Sequence, residues 1–364
     1  MSTAAEAVQR RLVAAAESVG SPVAIHVGLD ACAALIDGLP RPIMVVTTER
    51  ARRDPVARSL LSSVRDGDIW TRAHAHPGPD LIEETTSEIG DRAPATIIGL
   101  GGGSVLDLTK IAAAPHRESR PVTLVQIPTT AGTGADVTCW GTYWLPDGTK
   151  QSFEAAAGFA DHALLVPELT SSMPPRLTLS TGLDAFVHAA EAIVGRRATP
   201  ASTAVAREAI ELVTSSIESA VVAPTDSDRA VLVEAATLAG LALSITRSAA
   251  AHALSYSLTG VHGLEHGLAV GLMWRGLAEQ IGERSPDAMG VVLAALGVDR
   301  VAAAGARLDE WFGCAGLTPS MAALGLPAHA GRETIEQALS SNRLENQPGD
   351  WGVRELSAAI ARIS

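Results

Sequence analysis

Four side chains of the types that bind transition metals form two pairs in the second half of this 364-residue chain. Asp184 and His188 lie four residues apart. On a helix, this spacing places both side chains on one face about 6 Å apart, within reach of one ion. His252 and His266 lie fourteen residues apart, which on one straight helix would separate them by about 21 Å. Because the stretch 259–263 (TGVHG) suits a chain reversal, we expect two consecutive helices to bring this second pair to the first.

One carboxylate and three imidazoles form a nitrogen and oxygen ligand set that suits Fe(II), Zn(II), Co(II) or Mn(II). Three scattered cysteines without a C-x-x-C pair argue against both a disulfide framework and a thiolate metal site. A single histidine in an alanine-rich helix is more often a hydrogen-bonded structural residue, so the prediction depends on the joint pattern. Glu191, one turn beyond His188, is predicted to support a ligand or helix packing rather than to be a fifth ligand.

Two glycine-rich loops follow predicted strands. In residues 99–110 (GLGGGSVLDLTK), glycines would let the backbone approach a phosphate, and Ser104 is predicted to cap a helix whose free N–H groups attract the anion. Asp107 and Lys110 are expected on the first helical turn, facing the same cleft. Residues 128–138 (PTTAGTGADVT) place four hydroxyls and two glycines after the next strand. Either loop alone is equally well explained as a tight turn, but together they favour a dinucleotide crevice, although neither has the G-x-G-x-x-G pattern.

The elements predict an α/β domain at 1–172 and an all-α domain at 173–364. Continuous apolar runs suit a mostly parallel sheet covered on both faces, and they lie at 42–48, 95–101 and 122–128. Residues 137–144 and 149–155 flank a Leu-Pro-Asp-Gly turn and predict a hairpin. Beyond 173 helical spacing replaces the strand-like runs, over 199–222, 226–247 and 267–281. His74 and His76, in the extended stretch 72–79, could border the cofactor, but the interpretation as surface-loop residues is favoured.

The amino-acid composition narrows the range of possible binding partners. The chain is 47% hydrophobic with a formal net charge of −12, which suits two globular domains. The acidic balance argues against nucleic acid or an anionic membrane as the main partner. The N-terminus lacks the apolar core of a signal peptide, and no run approaches the ~18 apolar residues of a membrane helix. We therefore expect a cytoplasmic protein with no membrane partner.

Four sequence segments in a fixed order carry a family resemblance. They are GGGSVLDLTK ending at Lys110, PTTAGTG ending at Gly134, GLDAFVHAAE ending at Glu191, and His252 together with His266 and Gly267. Together they resemble the iron-containing, group III alcohol dehydrogenase family, which has the dehydroquinate-synthase-like fold. The resemblance implies a dinucleotide-binding α/β domain, an all-α metal-binding domain and an active site in the cleft between them. The implied metal ligands are Asp184, His188, His252 and His266, and the implied cofactor-lining residues are Gly102, Gly103, Ser104, Thr129, Thr130, Thr133, Thr138 and Lys150.

The activity implied by the resemblance is that of a metal-dependent alcohol dehydrogenase or aldehyde reductase. It would use NADPH or NADH on a small aldehyde or alcohol, and the family suggests a homodimer. One alternative is a non-redox enzyme of the same fold, similar to dehydroquinate or inosose synthases, which generally have a glutamate where Asp184 stands. Another is a metal- and nucleotide-binding module without catalysis. Net oxidation of the cofactor during turnover would separate these possibilities.

Three further segments resemble phosphonoacetaldehyde reductases, which make 2-hydroxyethylphosphonate in phosphonate biosynthesis. They are TRSAAAHALSY ending at Tyr256, GLEHG ending at Gly267 and NRLENQP ending at Pro348. Because a dianionic phosphonate needs cations, Arg247 is the first candidate to bind it and Arg343 the second. A helix-surface salt bridge explains Arg247 equally well. Another short-chain aldehyde or semialdehyde remains the alternative substrate.

Three features depart from the family pattern, and the first is Ala135-Asp136, where many relatives have a Ser-Glu pair. Many relatives have a histidine linked to proton relay at the position of Tyr256, so this tyrosine becomes a candidate proton donor beside water and the cofactor ribose. Thr48 stands where NAD-selective relatives typically have an aspartate. Its neutrality removes a charge that would repel a 2′-phosphate, which the nearby Arg50, Arg52 and Arg53 could attract. The sequence therefore leaves both NADPH and NADH open.

Overall fold

The computed structural model describes residues 3–364, with side chains from Ala4 onward. Two compact units make up the chain. The first extends to Ser172 but omits Ala131–Thr133, and the second consists of Ala131–Thr133 and Met173–Ser364.

The first unit contains a six-stranded sheet and a separate two-stranded hairpin. Its elements are α1 (Thr3–Ser18), β1 (Ala24–Val27), α2 (Leu29–Gly38), β2 (Ile43–Thr47), α3 (Glu49–Arg53), α4 (Pro55–Leu60), β3 (Ile69–Trp70), α5 (Pro79–Arg92), β4 (Thr96–Gly101), α6 (Gly103–Ser119), β5 (Thr123–Pro128), β6 (Trp140–Trp144), β7 (Lys150–Glu154) and β8 (His162–Leu165). The large sheet has the order β1-β8-β5-β4-β2-β3, and every neighbouring pair is parallel. β6 and β7 pair antiparallel, which confirms the predicted hairpin.

The apolar runs explain the central strands. Every residue of β2 and β4 is buried, as are all but the first residue of β5. Strands covered on both faces need continuous rather than alternating apolar side chains. Ile36 of α2 packs in one core cluster with Ile98, Val125 and Leu164 of three different strands. The prediction of an α/β unit with a largely parallel sheet is confirmed.

The strand order reverses direction between β2 and β4. The chain leaves β2 toward β3 and leaves β4 toward β5, in opposite directions across the sheet. In open α/β sheets, ligands bind at such a switch point, beyond the carboxyl ends of the strands. Thr48 follows β2 there and Gly102 follows β4. The fold thus positions both residues at this switch point.

The second unit is helical. Its helices are α7 (Pro175–Val194), α8 (Pro200–Val222), α9 (Asp226–Thr246), α10 (Ala250–Gly260), α11 (His266–Arg284), α12 (Pro286–Ala295), α13 (Val301–Cys314), α14 (Ala330–Leu339) and α15 (Val353–Ala361). Thr199 and Thr225 begin α8 and α9 with capping boxes, in which each threonine accepts from the third residue of its helix. The predicted helices 199–222, 226–247 and 267–281 are confirmed within a few residues.

The helix α9 is more apolar than the sequence analysis expected. Within the described residues it alone is long and apolar enough, by length and composition, to cross a membrane. However, 78% of its most apolar window is buried inside the protein. Helices of this kind also occur as core helices, and α9 packs against both α7 and α8.

Candidate metal centre and nucleotide-binding loops

The four candidate metal ligands converge on one carboxylate oxygen. The Nε2 atoms of His188, His252 and His266 lie 3.7, 3.6 and 3.8 Å from Asp184 Oδ1. The rings of His188 and His252 stack with their centroids 4.5 Å apart. One donor atom each from Asp184, His252 and His266 lies within 4.8 Å of the other two. The structure thus brings together all four residues that the sequence singled out.

Local structure explains this convergence. Asp184 and His188 lie one turn apart on α7. Helix α10, which carries His252, ends at Gly260, and Gly263 has a φ of 71°, a conformation that glycine adopts without strain. His266 is then the first residue of α11. The predicted chain reversal is therefore present and brings His252 and His266 from consecutive helices to the α7 pair.

The burial and chemistry of these donors fit a divalent cation. Within the described part of the chain, the buried atoms Asp184 Oδ1 and His252 Nε2 have no hydrogen-bond partner. Leaving such atoms unsatisfied is costly unless something binds them. Ligands about 2.1 Å from a tetrahedral ion lie about 3.4 Å from one another, close to the distances observed here. The His266 side chain is one-quarter exposed, whereas the other three are nearly buried, so the centre is open on the His266 side.

The electrostatics favour a positive charge at this centre. Burial would raise the pKa of Asp184, but the neighbouring imidazoles outweigh it and lower that pKa well below its usual range. Burial would lower the pKa of His252, but Glu191 and Asp184 outweigh it and raise that pKa to about 9. Two ionised carboxylates therefore surround one imidazole. A divalent cation can supply the positive charge in place of a proton.

Glu191 supports His252 directly. It is fully buried on α7, and its Oε2 accepts from His252 Nδ1 at 2.7 Å and from the Ala249 N–H at 2.6 Å. Its Oε1 accepts from the Ala251 N–H at 2.7 Å. With the Nδ1 proton donated to Glu191, His252 Nε2 is left as the basic nitrogen facing Asp184. The geometry agrees with the predicted supporting role rather than with a fifth ligand.

The two candidate catalytic residues lie on either side of His252 in the chain. The Tyr256 ring, almost buried on α10, lies 6.5 Å from the His266 ring and nearly parallel to it. Arg247 directly follows Thr246, the last residue of α9, as its C-cap, and its backbone has φ 64° and ψ 164°. This region is essentially restricted to glycine, so a side chain there is strained. Such strain persists only where the surroundings enforce it.

The first glycine loop differs from the prediction in its cap. The helix α6 begins at Gly103 with Gly102 as its N-cap, and no side chain caps it. The expected cap, Ser104, lies inside the first turn, where its hydroxyl accepts weakly from the His76 N–H at 3.4 Å. The Ser104 capping prediction is therefore wrong, because the N-cap is Gly102, two residues earlier. An uncapped glycine terminus leaves backbone N–H groups available to a phosphate.

The second loop lies next to the first. The Thr129 N–H donates to the Gly101 carbonyl at 2.9 Å. A Cβ on Gly102 would contact the Thr130 side chain at 3.4 Å, and a Cβ on Gly101 would overlap Val105. Glycine at 101 therefore leaves room for Val105 on the first turn of α6, and the hydrogen bond from Thr129 to Gly101 joins the two loops. Thr133 belongs to the short segment that groups with the second unit.

Asp107 and Lys110 contact polar groups of the chain itself rather than facing an open cleft. Asp107 Oδ2 accepts from the backbone N–H and the hydroxyl of Thr142 at 2.9 and 2.8 Å. Lys110 is fully buried, and its Nζ donates to the carbonyls of Ala135, Thr138 and Trp140 and lies 3.2 Å from Asp107 Oδ1. The expectation that both face a cleft is wrong. Instead, Lys110 holds the end of the second loop, which carries Thr138, and Asp107 holds Thr142 on β6.

The arginines after β2 are already paired. Arg52 contacts both oxygens of Asp66 at 2.7 Å, and Arg53 contacts Glu49 at 2.8 Å. The Thr48 hydroxyl accepts from the Ala51 N–H and caps α3. Paired guanidinium groups attract a 2′-phosphate less than the sequence analysis assumed. Lys150 on β7 lies 5.8 Å from the Trp144 ring.

Two residues outside the metal centre have contacts that the sequence did not indicate. His76, interpreted as a surface-loop residue, has φ 53° and contacts the Trp144 ring edge-on at 5.2 Å. Its N–H points to Ser104, as described above. No spacing signal marks such a loop residue. Asn346 lies in a segment that carried a resemblance, but its contacts, described below, depend on tertiary structure.

Comparison with known protein families identifies the class. Residues 22–167 match the family model described as iron-containing alcohol dehydrogenase. Residues 178–362 match the model described as the C-terminal part of the Fe-containing alcohol dehydrogenase family. The chain therefore belongs to the iron-containing alcohol dehydrogenase family and is an oxidoreductase. The predicted family and enzyme class are confirmed.

Similar proteins are named for different substrates. The chain is 29% identical over 361 residues to a long-chain-alcohol dehydrogenase of Geobacillus thermodenitrificans, covering 89% of this chain and 90% of that one. It is 32% identical over 258 residues to a phosphonoacetaldehyde reductase of Streptomyces viridochromogenes, covering 64% of this chain and 65%, just under two thirds, of that protein. The crystal structure of a sulfoacetaldehyde reductase from Bifidobacterium kashiwanohense in complex with NAD+ superposes with a TM-score of 0.84 at 25% identity. That superposition covers 94% of this chain and 97% of the other.

Proposed function

We propose that this protein reduces a small anionic aldehyde, first of all phosphonoacetaldehyde, to its alcohol with NADH or NADPH. The reaction would take place at a divalent metal, Fe(II) or alternatively Zn(II), Co(II) or Mn(II), held by Asp184, His188, His252 and His266. The observation that carries the proposal is the approach of three imidazole Nε2 atoms to within 3.8 Å of one buried carboxylate oxygen. Family membership supports the redox class over a non-redox synthase.

Each group at the centre has a distinct task. A bound divalent cation supplies Lewis-acid polarisation of the substrate carbonyl, and the reduced nicotinamide supplies the hydride. Asp184 contributes negative charge, and Glu191 fixes the tautomer and orientation of His252. Tyr256 is the proposed donor of the proton that completes the alcohol, and its ring, 6.5 Å from that of His266, supports this role over water and the cofactor ribose. A Tyr256→Phe variant should therefore lose turnover while keeping its metal.

The nucleotide would bind at the switch point between β2 and β4. The uncapped start of α6 at Gly102 and Gly103 suits the pyrophosphate. The other proposed contacts are Thr48, Ser104, Thr129, Thr130, Thr133, Thr138 and Lys150, with Asp107 acting indirectly through Thr142. Because Arg52 and Arg53 are already paired, both NADH and NADPH must be tested as cofactors.

Arg247 is the proposed binding residue for the anionic group of the aldehyde. Its strained backbone indicates that the surrounding structure enforces its main-chain conformation, as at many functional sites. A guanidinium group binds a tetrahedral oxyanion in bidentate fashion, and Arg343 is the second candidate. The phosphonoacetaldehyde and sulfoacetaldehyde reductases among the similar proteins have substrates that each combine an aldehyde with such an anion.

A neutral aldehyde is the second candidate substrate. The match to the long-chain-alcohol dehydrogenase spans nine-tenths of both chains, more than the match to the phosphonoacetaldehyde reductase. That relative favours an uncharged substrate. The charge of the aldehyde, rather than its length, therefore separates the two proposals.

An aldehyde panel tests the proposal. Phosphonoacetaldehyde, succinic semialdehyde, glyceraldehyde and propanal are each assayed with NADH and NADPH and with several metals, following absorbance at 340 nm. We expect Arg247→Ala to lower kcat/KM for phosphonoacetaldehyde about 10- to 100-fold, the equivalent of one charge-assisted hydrogen-bond pair, and to spare propanal. Arg207→Ala, an exposed arginine paired with Glu211, is the matched control. A wild-type enzyme that prefers propanal would refute the anionic substrate.

We further propose a cytoplasmic location and a homodimer, with neither nucleic acid nor membrane as a partner. The net charge of −12 supports the exclusion of nucleic acid. Light scattering coupled to size-exclusion chromatography tests the dimer, which would elute at twice the 37.5 kDa of one chain. A monomer at micromolar concentration would contradict it.

A further inference from the structure

The junction between α9 and α10, residues 246–252, connects Arg247, the proposed anion-binding residue, with His252, a candidate metal ligand. It begins with the last residue of α9, passes through Arg247 and ends at His252. Its backbone is irregular, and its Arg247 conformation is one that a residue with a Cβ avoids. Buried irregular backbone needs partners for every N–H and C=O group. Those partners come from outside the junction.

Asn346 binds the carbonyl side of this junction. Its Nδ2 lies 2.9, 3.0 and 3.3 Å from the carbonyl oxygens of Thr246, Arg247 and Ser248. An amide has only two hydrogens, so three acceptors share them in a bifurcated arrangement. The side chain is buried. One side chain therefore binds three successive carbonyls, and Arg247 supplies the middle one.

The other end of Asn346 is fixed to the turn after α7. Its Oδ1 accepts from the Arg197 N–H at 3.2 Å, and its main-chain oxygen accepts from the Arg196 N–H at 2.7 Å. A Cβ on Gly195 would lie 2.9 Å from Asn346 Nδ2, so glycine there leaves room for the amide. Both ends of the side chain are thus held, and its orientation is determined by its contacts.

The amide side of the junction is held by different residues. Glu191 accepts from the N–H groups of Ala249 and Ala251, and Gln347 Oε1 lies 3.4 Å from the N–H of Ala250. Glu191 also holds the His252 ring. The junction therefore has two separate supports. Asn346 binds the part that contains Arg247, and Glu191 binds the part that contains His252.

We propose that Asn346 is a positioning residue that keeps Arg247 in its positive-φ conformation and so presents its guanidinium to the anionic group of the aldehyde. This inference rests on the proposed anionic substrate. Asparagine suits the task because alanine would remove the donor, and aspartate would place a charged oxygen against three carbonyl oxygens. It also gives a physical role to Asn346 in the 342–348 segment, where the sequence had suggested a role only for Arg343.

The test compares Asn346→Ala and Asn346→Asp with Asn342→Ala, which changes an exposed asparagine in the same segment. Three properties are measured: the ratio of kcat/KM for phosphonoacetaldehyde to that for propanal, the zinc dissociation constant, and hydrogen exchange of a peptide covering 246–252. We expect both Asn346 variants to lower the ratio about tenfold or more, because a displacement of ~1 Å at a binding group has effects of this size. Zinc affinity should change less than about twofold, because Glu191 still holds His252.

An Asn346 variant with the same substrate ratio as Asn342→Ala would overturn the proposal. If the wild-type enzyme shows no preference for the anionic aldehyde, the proposed substrate is wrong and hydrogen exchange decides the positioning role alone. Faster exchange of 246–252 in Asn346→Asp than in Asn342→Ala then supports it, and equal exchange refutes it. If neither Asn346 variant folds, Arg247→Gly and Arg247→Ala are compared, since glycine adopts this conformation without strain. A thermal midpoint for Arg247→Gly no higher than that of Arg247→Ala would refute the enforced conformation.

Discussion

Replacing Glu191 with glutamine would test how the centre holds its histidine. The carboxylate is fully buried; burial would raise its pKa, but His252 and the backbone N–H groups outweigh this effect and lower it. Glutamine has the same shape but carries an NH2 group in place of one oxygen. In one orientation that group faces the Ala249 N–H, and in the other it faces the Ala251 N–H. Either way a hydrogen bond to a charged acceptor becomes a contact between two donors.

The size of the effect follows from these contacts. Losing one buried charge-assisted bond and leaving a donor unsatisfied costs about 3 kcal/mol. With ~2.1 cal/mol/K of unfolding entropy per residue over 364 residues, this lowers the thermal midpoint by about 4 °C. Disturbing the partner of a metal-binding histidine also typically weakens metal binding 10- to 100-fold. Glu191→Gln should therefore be less stable without metal and should bind metal more weakly.

The assay measures both quantities on one preparation. Metal affinity comes from competition with a chelator and the thermal midpoint from calorimetry of the metal-free protein. Glu211→Gln is the matched control, because Glu211 is a half-exposed glutamate on α8 paired with Arg207. If Glu191→Gln matched Glu211→Gln in both metal affinity and midpoint, the assignment of Glu191 as the support of His252 would be refuted.

Three more predictions concern other parts of the molecule. His266→Ala should abolish metal binding and turnover together, as measured by metal analysis and 340 nm absorbance, and full turnover by a metal-free His266→Ala protein would refute the metal mechanism. Lys110→Met should leave the carbonyls it binds unsatisfied and weaken NADH binding about tenfold or more in a fluorescence titration, whereas an unchanged affinity would show that the segment around Thr138 does not contact the nucleotide. Arg176→Ala should cost only about 0.5 kcal/mol at pH 7, because the Arg176 and Glu265 side chains are 45% and 39% exposed. The Arg176 hydrogen bond lowers the pKa of Glu265 below its ordinary 4.5, so this difference in urea-unfolding free energy is present above pH 4.5 and lost as pH falls through the lowered value. A difference of equal size at pH 3 would contradict this origin.

Short-range patterns predicted much of the fold and the metal centre. The four-residue spacing of Asp184 and His188 depends only on helix geometry, and the reversal before His266 needed only the glycines at 260 and 263. Likewise the continuous apolar runs determined the parallel strands, because a strand buried on both faces has no polar side. These features are local, so the sequence carried them directly.

Contacts between distant segments were not predictable in this way. Lys110 was expected in a cleft because it shares a helical turn with Asp107, but burial among three carbonyls from a later segment determines its position. The Ser104 cap prediction failed because a helix start can shift by a residue or two where glycines precede it, and here the N-cap is Gly102. The arginines after β2 looked available in sequence, yet their acidic partners include Asp66, in the connection to β3. In each case the deciding contact comes from a residue far away in the chain, or the prediction depends on a helix start that can shift by a residue or two.

The two supports of the α9–α10 junction have different origins, and this difference bears on how such a site can vary. Glu191 lies on α7, the helix that also carries Asp184 and His188, so a change that disturbs it also disturbs the metal ligands. Asn346 comes from the separate 342–348 segment and binds only the carbonyls around Arg247 and the turn after α7. A change at Asn346 itself can therefore move Arg247 while His252 stays on Glu191. If the proposed roles hold, metal binding and aldehyde preference depend on different side chains, and substitutions at Asn346 and Glu191 should affect them separately.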